Sequence, residues 1–198
     1  MILSMIGRFL SLGAVVFVVG FGLQTARADS KNKYHFELTA VTPKAEVKAD
    51  VAAAATPRIE GQVKKAFAEH PQLVAKLDDA PDRKDQDAYR AYLTRKGLSG
   101  SYLVTVEVTE ASEELVPMEG KPNTQRLVVH VAIHMLGEAI PGRTMAFTGD
   151  GQATVKQEVG KKVRDKDREY SWDSAAEVAV HDAIETSLKQ LAKPKNKP

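Results

Sequence analysis

The chain has 198 residues, of which 43% are hydrophobic and 27% charged, with 28 basic against 26 acidic side chains and no cysteine. This composition argues against wholesale disorder, a collagen-like repeat and a polytopic membrane protein. Without cysteine there is no disulfide framework, thiolate zinc site, cysteine nucleophile or lipid-bearing N-terminal Cys, and a formal charge of +2 does not mark nucleic acid as a partner.

The first 28 residues read as an export signal. Arg8 precedes an uncharged run over residues 9–23, and Ala26-Arg27-Ala28 supplies the small-x-small ending that signal peptidase accepts. A membrane anchor needs about 20 apolar residues to cross roughly 30 Å of hydrocarbon. The run here is shorter and contains Gly13, Gly20 and Gly22. Cleavage is therefore expected after Ala28, leaving no transmembrane anchor in the mature chain. Arg8 and Arg27 leave with the signal, and the remainder balances 26 basic against 26 acidic residues. The expected organisation is a signal peptide over 1–28, a single α/β domain over 29–192 and a disordered lysine-bearing tail over 193–198.

Residues 34–40 alternate, with Phe36, Leu38 and Ala40 opposite His35, Glu37 and Thr39, which predicts a half-buried strand ended by Pro43. The Ala-rich residues 44–55 give no clear signal. Thr56-Pro57 resembles a helix start, and Ile59, Val63, Ala66 and Phe67 recur at helical spacing. His70-Pro71 breaks that helix, and a short second helix is expected to carry Leu73, Val74 and Leu77. A polar loop leads to a third helix over about 86–96, with Tyr89, Tyr92 and Leu93 inward and Gly97 at its end.

Val104, Val106 and Val108 alternate with Thr105, Glu107 and Thr109 in the clearest strand. Pro117, Gly120 and Pro122 mark residues 110–125 as a long hairpin loop before a strand over 126–136. Strands over 144–148 and 152–158 meet at Gly149-Asp150-Gly151, a hairpin signal that a glycine kink in one long strand would share. Ser174-Ala175-Ala176-Glu177 has the capping-box pattern, and Val180, Ala183, Ile184, Leu188 and Leu191 form an apolar stripe after it. The expected fold is α+β: an antiparallel sheet of four to five strands with helices packed on one face, in the order β-α-α-β-β-β(β)-α.

No catalytic, cofactor-binding or metal-ligating constellation emerges. His130 and His134 are four residues apart in a β-rich segment, which separates them by roughly 13 Å along a strand. One zinc cannot hold both, and outer-face polar positions explain them. His35, His70 and His181 lie on different elements, and no G-x-S-x-G elbow, P-loop or dinucleotide fingerprint is present. Gly149-Asp150-Gly151 lacks the further ligands of a calcium loop. Asp78, Asp79, Asp82, Asp85 and Asp87 are diluted by Arg83 and Lys84, and the charges over 161–169 alternate in sign. Tyr89, Tyr92 and Tyr102 fit the edge of a core better than a binding surface.

Three stretches together carry a family resemblance: Leu136-Gly137 with Pro141, residues 149–155, and residues 173–188. The set resembles an uncharacterised domain of exported myxobacterial proteins, some labelled HEAT-repeat proteins, although the chain shows no helical-repeat array. The element order is also similar to the amino-terminal domain of TolB and to lipoprotein activators of peptidoglycan synthases. That resemblance implies a non-enzymatic interaction module, and it assigns no functional residue. The expected role is an exported envelope or secreted protein without a cofactor. Its partner is expected to be an envelope protein or a cell-wall component, met through a β-edge or the 110–125 loop. A hydrolase with dispersed carboxylates and a small-ligand carrier are the alternatives. N-terminal sequencing of the exported protein should begin at Asp29; an uncut chain retained in the cytoplasm would contradict the export reading.

Overall fold

The computed structural model describes residues 32–193; the expected signal and all but the first residue of the expected tail lie outside them. The elements are β1 (Lys33–Pro43), α1 (Ala49–Glu69), β2 (Leu73–Val74), α2 (Gln86–Arg95), β3 (Leu98–Pro117), β4 (Thr124–Ile140), β5 (Met145–Gly160) and α3 (Asp165–Ala192). The fold is α+β, with one five-stranded sheet in the order β2-β1-β3-β4-β5. The sheet is mixed and not antiparallel. β1 runs parallel to both β2 and β3, whereas β3, β4 and β5 form an antiparallel meander. A helix stands between β1 and β2 and another between β2 and β3, and each crossover returns the chain to the end at which it started.

Local boundaries depart from the sequence expectation for identifiable reasons. α1 begins at Ala49 and runs through Pro57. Four consecutive alanines favour helix, and Ala52 and Ala55 are buried, which offsets the backbone bond that proline removes. Leu73–Val74 is a short strand on the edge of β1 and not a helix. Residues 110–117 and 124–125 belong to strands, so the hairpin loop is confined to 118–123. α3 begins at Asp165 and places the expected cap, Ser174, inside the helix.

The helices do not share one face. Phe36, Tyr102, Val104, Val106, Val108 and the β4 row Leu127, Val129, Val131, Ile133 and Met135 are buried in the main core beneath α1 and α3. Each such side chain stabilises by roughly 1.5–3 kcal/mol. Phe36 is central: it stacks on Phe147 at 5.0 Å and meets Phe67 and Tyr102 edge-on at 5.5 and 5.7 Å. One residue out of phase, His35 pairs with Ser101 and Ser101 with Ile140, so these three point to the other face. There Tyr89, Tyr92 and Leu93 of α2 pack with Leu98 and Ile140 in a second, smaller core.

Gly149-Asp150-Gly151 is not a turn, because β5 passes straight through it. Both glycines face α3. A Cβ on Gly151 would sit 1.9 Å from the Ala179 carbonyl oxygen, and one on Gly149 would sit 2.1 Å from Ser187 Oγ and 2.4 Å from the Ala183 carbonyl oxygen. Ala175, Ala176, Ala179, Ala183 and Ser187 are all buried. Small residues on both elements let the helix backbone rest almost directly on the strand, and this seam fixes where α3 lies.

Gly151→Ala is expected to lower stability by at least about 1–3 kcal/mol, read as a lower urea midpoint, since helix and strand must part. Gly61→Ala is the opposing control: nothing lies within 4 Å of its Cβ position in α1. It should gain about 0.5–1 kcal/mol.

Candidate functional site

The residues weighed in the sequence are dispersed across the structure. His130 and His134 lie on the face of β4 opposite the main core, half-buried, each bonded to its cross-strand neighbour. His130 Nδ1 is 2.9 Å from Thr154 Oγ1, and His134 Nδ1 is 2.6 Å from Asp150 Oδ1. Glu110 lies 3.3 Å from His130 Nε2. Among the described residues no group of three or more His, Asp or Glu is placed to hold a metal ion. His70 joins α1 to α3: Nδ1 accepts from the Gln72 N–H at 3.2 Å, so Nε2 carries the proton and donates to Glu185 at 3.2 Å.

The aspartate loop has structural work. Asp85 accepts from the Ala88 N–H at the start of α2, Asp82 accepts from the Lys84 N–H, and the Asp78 carbonyl accepts from Tyr92 Oη at 2.6 Å. Tyr89, Tyr92 and Tyr102 are buried and divided between the two cores, so they form no aromatic surface. Burial, assisted by Tyr34, pushes the Tyr102 phenol up to about 12. In the charged stretch before α3, Arg164 grips Asp167 through two bonds of 2.7 and 2.8 Å and holds its carboxyl below the usual range. Arg168 and the Trp172 indole both donate to Glu113, which anchors the start of α3 to β3.

A polar cluster that the alternation pattern does not reveal lies between the sheet and α2. His35 is only 4% exposed. Its Nδ1 lies 2.8 Å from Ser101 Oγ, which lies 3.2 Å from Tyr89 Oη. Strand parity puts His35 opposite the main core, where solvent was the expectation. The covering element is α2, and the signal available in the sequence was the uninterrupted Tyr34-His35-Phe36 run, which suits a strand buried on both faces. Beside the cluster opens a crevice of about 630 Å³, lined by residues 75–78 and 80–83 together with His35, Glu37 and Tyr89. Burial lowers the pKa of His35; Glu37 opposes that shift and Arg83 reinforces it.

At the far end of the molecule the β3–β4 hairpin presents Leu115-Val116-Pro117-Met118. Leu115 is 42% and Val116 41% exposed. The tip is tethered: Lys121 Nζ bonds Glu158 at 2.9 Å, and the Lys161 N–H donates to the Asn123 carbonyl at 2.9 Å. The outer edge of β5 is partly closed, because the outward Thr148 N–H donates to Gln190 Oε1 from α3.

No protein-family model and no curated protein matches the chain. Solved structures with a similar arrangement include a minor lipoprotein from Acinetobacter baumannii, 11% identical, covering 81% of this chain and 97% of that one at a TM-score of 0.43. An uncharacterized lipoprotein B from Nitrosomonas europaea is 10% identical and covers 82% and 88%, at 0.39. The rare lipoprotein B from Shewanella oneidensis is 10% identical and covers 77% and 94%, at 0.36. At these scores the likeness assigns no function to this chain.

His35 makes stability depend on pH. Its folded pKa lies below the ordinary 6.5, so its contribution is complete above that value. Below it the unfolded chain takes up a proton that the fold resists, and stability falls by up to about 1.4 kcal/mol per pH unit. Melting curves between neutral pH and pH about 5 should show this fall, and His35→Gln should flatten its share of it.

Proposed function

We propose that the chain is an exported, non-enzymatic module of the bacterial envelope that binds another envelope protein through the tip of the β3–β4 hairpin. The observation that supports this most directly is the exposure of Leu115 and Val116, one on each face of β3, beside a tip held by Lys121–Glu158 and Lys161–Asn123. Solvent-facing apolar side chains on a pre-ordered element offer burial without a large ordering cost on binding. The 1–28 export pattern and the resemblance to exported domains support the location. Among the described residues no helix is long and apolar enough to cross a membrane.

The small-ligand-carrier alternative asked for an apolar cavity between helices and sheet. Under α1 and α3 that space is occupied by the Phe36, Phe67, Tyr102 and Phe147 cluster, and the crevice on the α2 side is floored by polar groups. The hairpin tip is therefore the favoured contact surface.

Leu115→Asp combined with Val116→Asp should leave the melting temperature nearly unchanged, because exposed substitutions cost within about 0.5 kcal/mol. The pair should abolish capture of the envelope partner that the unaltered protein retains. Equal capture by both proteins would contradict the assignment of the tip.

A further inference from the structure

The sheet ends in two edges that are not equivalent. The β1 edge is covered by β2 at Tyr34 and His35, shifts register between Leu38 and Ala40, and stops at Pro43. β5 has no such interruption. From Phe147 to Gly160 its pairing with β4 is unbroken, and the strand contains no proline. Backbone groups alternate between the two sides of an antiparallel strand. Because the Thr148 N–H points outward to Gln190, those of Asp150, Gln152, Thr154, Lys156 and Glu158 point outward as well. None of these five has a hydrogen-bond partner among the described residues. With their carbonyls they form a regular, unpaired row of the kind that accepts another strand.

The flank of this edge selects what can pair there. A groove of about 600 Å³ joins residues 150–152 of β5 to α3 and reaches Glu110. Its charged side chains are Glu110, Asp150, Asp182 and Glu185 against Lys189, a net charge of −3 with histidine neutral. Among the described residues the only basic side chains within 4 Å of these four carboxylates are histidines, and neutral imidazoles leave their charge in place. An added strand alternates its side chains between two faces, so one residue meets Asp150 on the outer face and the next meets Asp182 beside α3. We propose that β5 accepts, over residues 150–158, an extended segment of a partner protein that carries two adjacent Lys or Arg residues, one answering each of these carboxylates. A second copy fits less well. Pairing through its own β5 would set two α3 helices, each resting on its strand, about 4.8 Å apart, whereas packed helices need about 8–10 Å. This surface is separate from the hairpin tip and does not rest on the tip's role.

Fluorescence anisotropy of the full chain with three labelled eight-residue Thr/Val peptides tests the proposal. The first carries a central Lys-Arg pair and the second a central Glu-Glu pair. The third repeats the Lys-Arg peptide with its backbone nitrogens methylated, which blocks strand pairing and keeps the charge. The first should bind saturably, and the other two at least about tenfold more weakly. On binding, amide exchange should slow at Asp150, Gln152 and Thr154 and stay unchanged at Gly151 and Ala153, which already face β4. Asp150→Asn with Asp182→Asn keeps the edge intact and should weaken the basic peptide about 3- to 10-fold. Gln152→Pro removes one outward N–H where an edge strand tolerates proline, and should weaken the same peptide. If that variant does not fold, the methylated peptide carries the same test. The proposal is overturned if the basic peptide shows no saturable binding, if either control peptide binds as tightly, or if the slowed exchange falls on other residues. Sedimentation of the chain alone as a dimer that the basic peptide does not dissociate would give the edge to a second copy, and overturns it as well.

Discussion

The architecture rests on the close approach of α3 to β5. Gly149 and Gly151 on the strand and Ala179, Ala183 and Ser187 on the helix leave no room between them for another methyl group. Because the helix lies so low on the sheet, Val180, Ile184 and Leu188 reach the main core, and α1 closes over the same face. The Arg168 and Trp172 contacts to Glu113 then fix the opposite end of the helix. The same low position lets Gln190 reach around and cover part of the β5 edge. One steric constraint thus sets the helix layer, the filling of the core and the protection of an edge strand.

How much of this was legible in the sequence follows from which signals are local. Val104, Val106 and Val108, and the alternating row from Leu127 to Met135, announce strands because period-two burial is written into neighbouring residues. The stripe of Val180, Ala183, Ile184 and Leu188 announces a helix in the same way. The glycines of β5 did not declare their role, because Gly-Asp-Gly reads as a turn unless the helix that needs the space is known. Parallel pairing of β1 was hidden for a related reason: it depends on the crossovers through α1 and α2, and neither strand's own pattern encodes its direction.

The candidate sites divide along the same line. The outer-face positions of His130 and His134 follow from strand parity alone, and the structure places both there, bonded to β5. The burial of His35 depends on α2 packing on a face that an expectation of one-sided helices leaves open to solvent. Its partners Ser101 and Tyr89 lie on β3 and α2, far from it in the chain, so no motif links the three. The exposed hairpin tip was partly legible: Pro117, Gly120 and Pro122 marked a loop, but the strands extend far enough to turn it into a short, tethered tip carrying Leu115 and Val116.

The central functional claim is that the hairpin tip is where another envelope protein docks. Site-specific photo-crosslinking in intact cells tests it most directly, with the reactive group placed at Val116 and, as a control, at Lys64 on the exposed side of α1. A discrete, higher-mass adduct is expected from position 116 and none from position 64. Adducts of the same mass from both positions, or from position 64 alone, would contradict it.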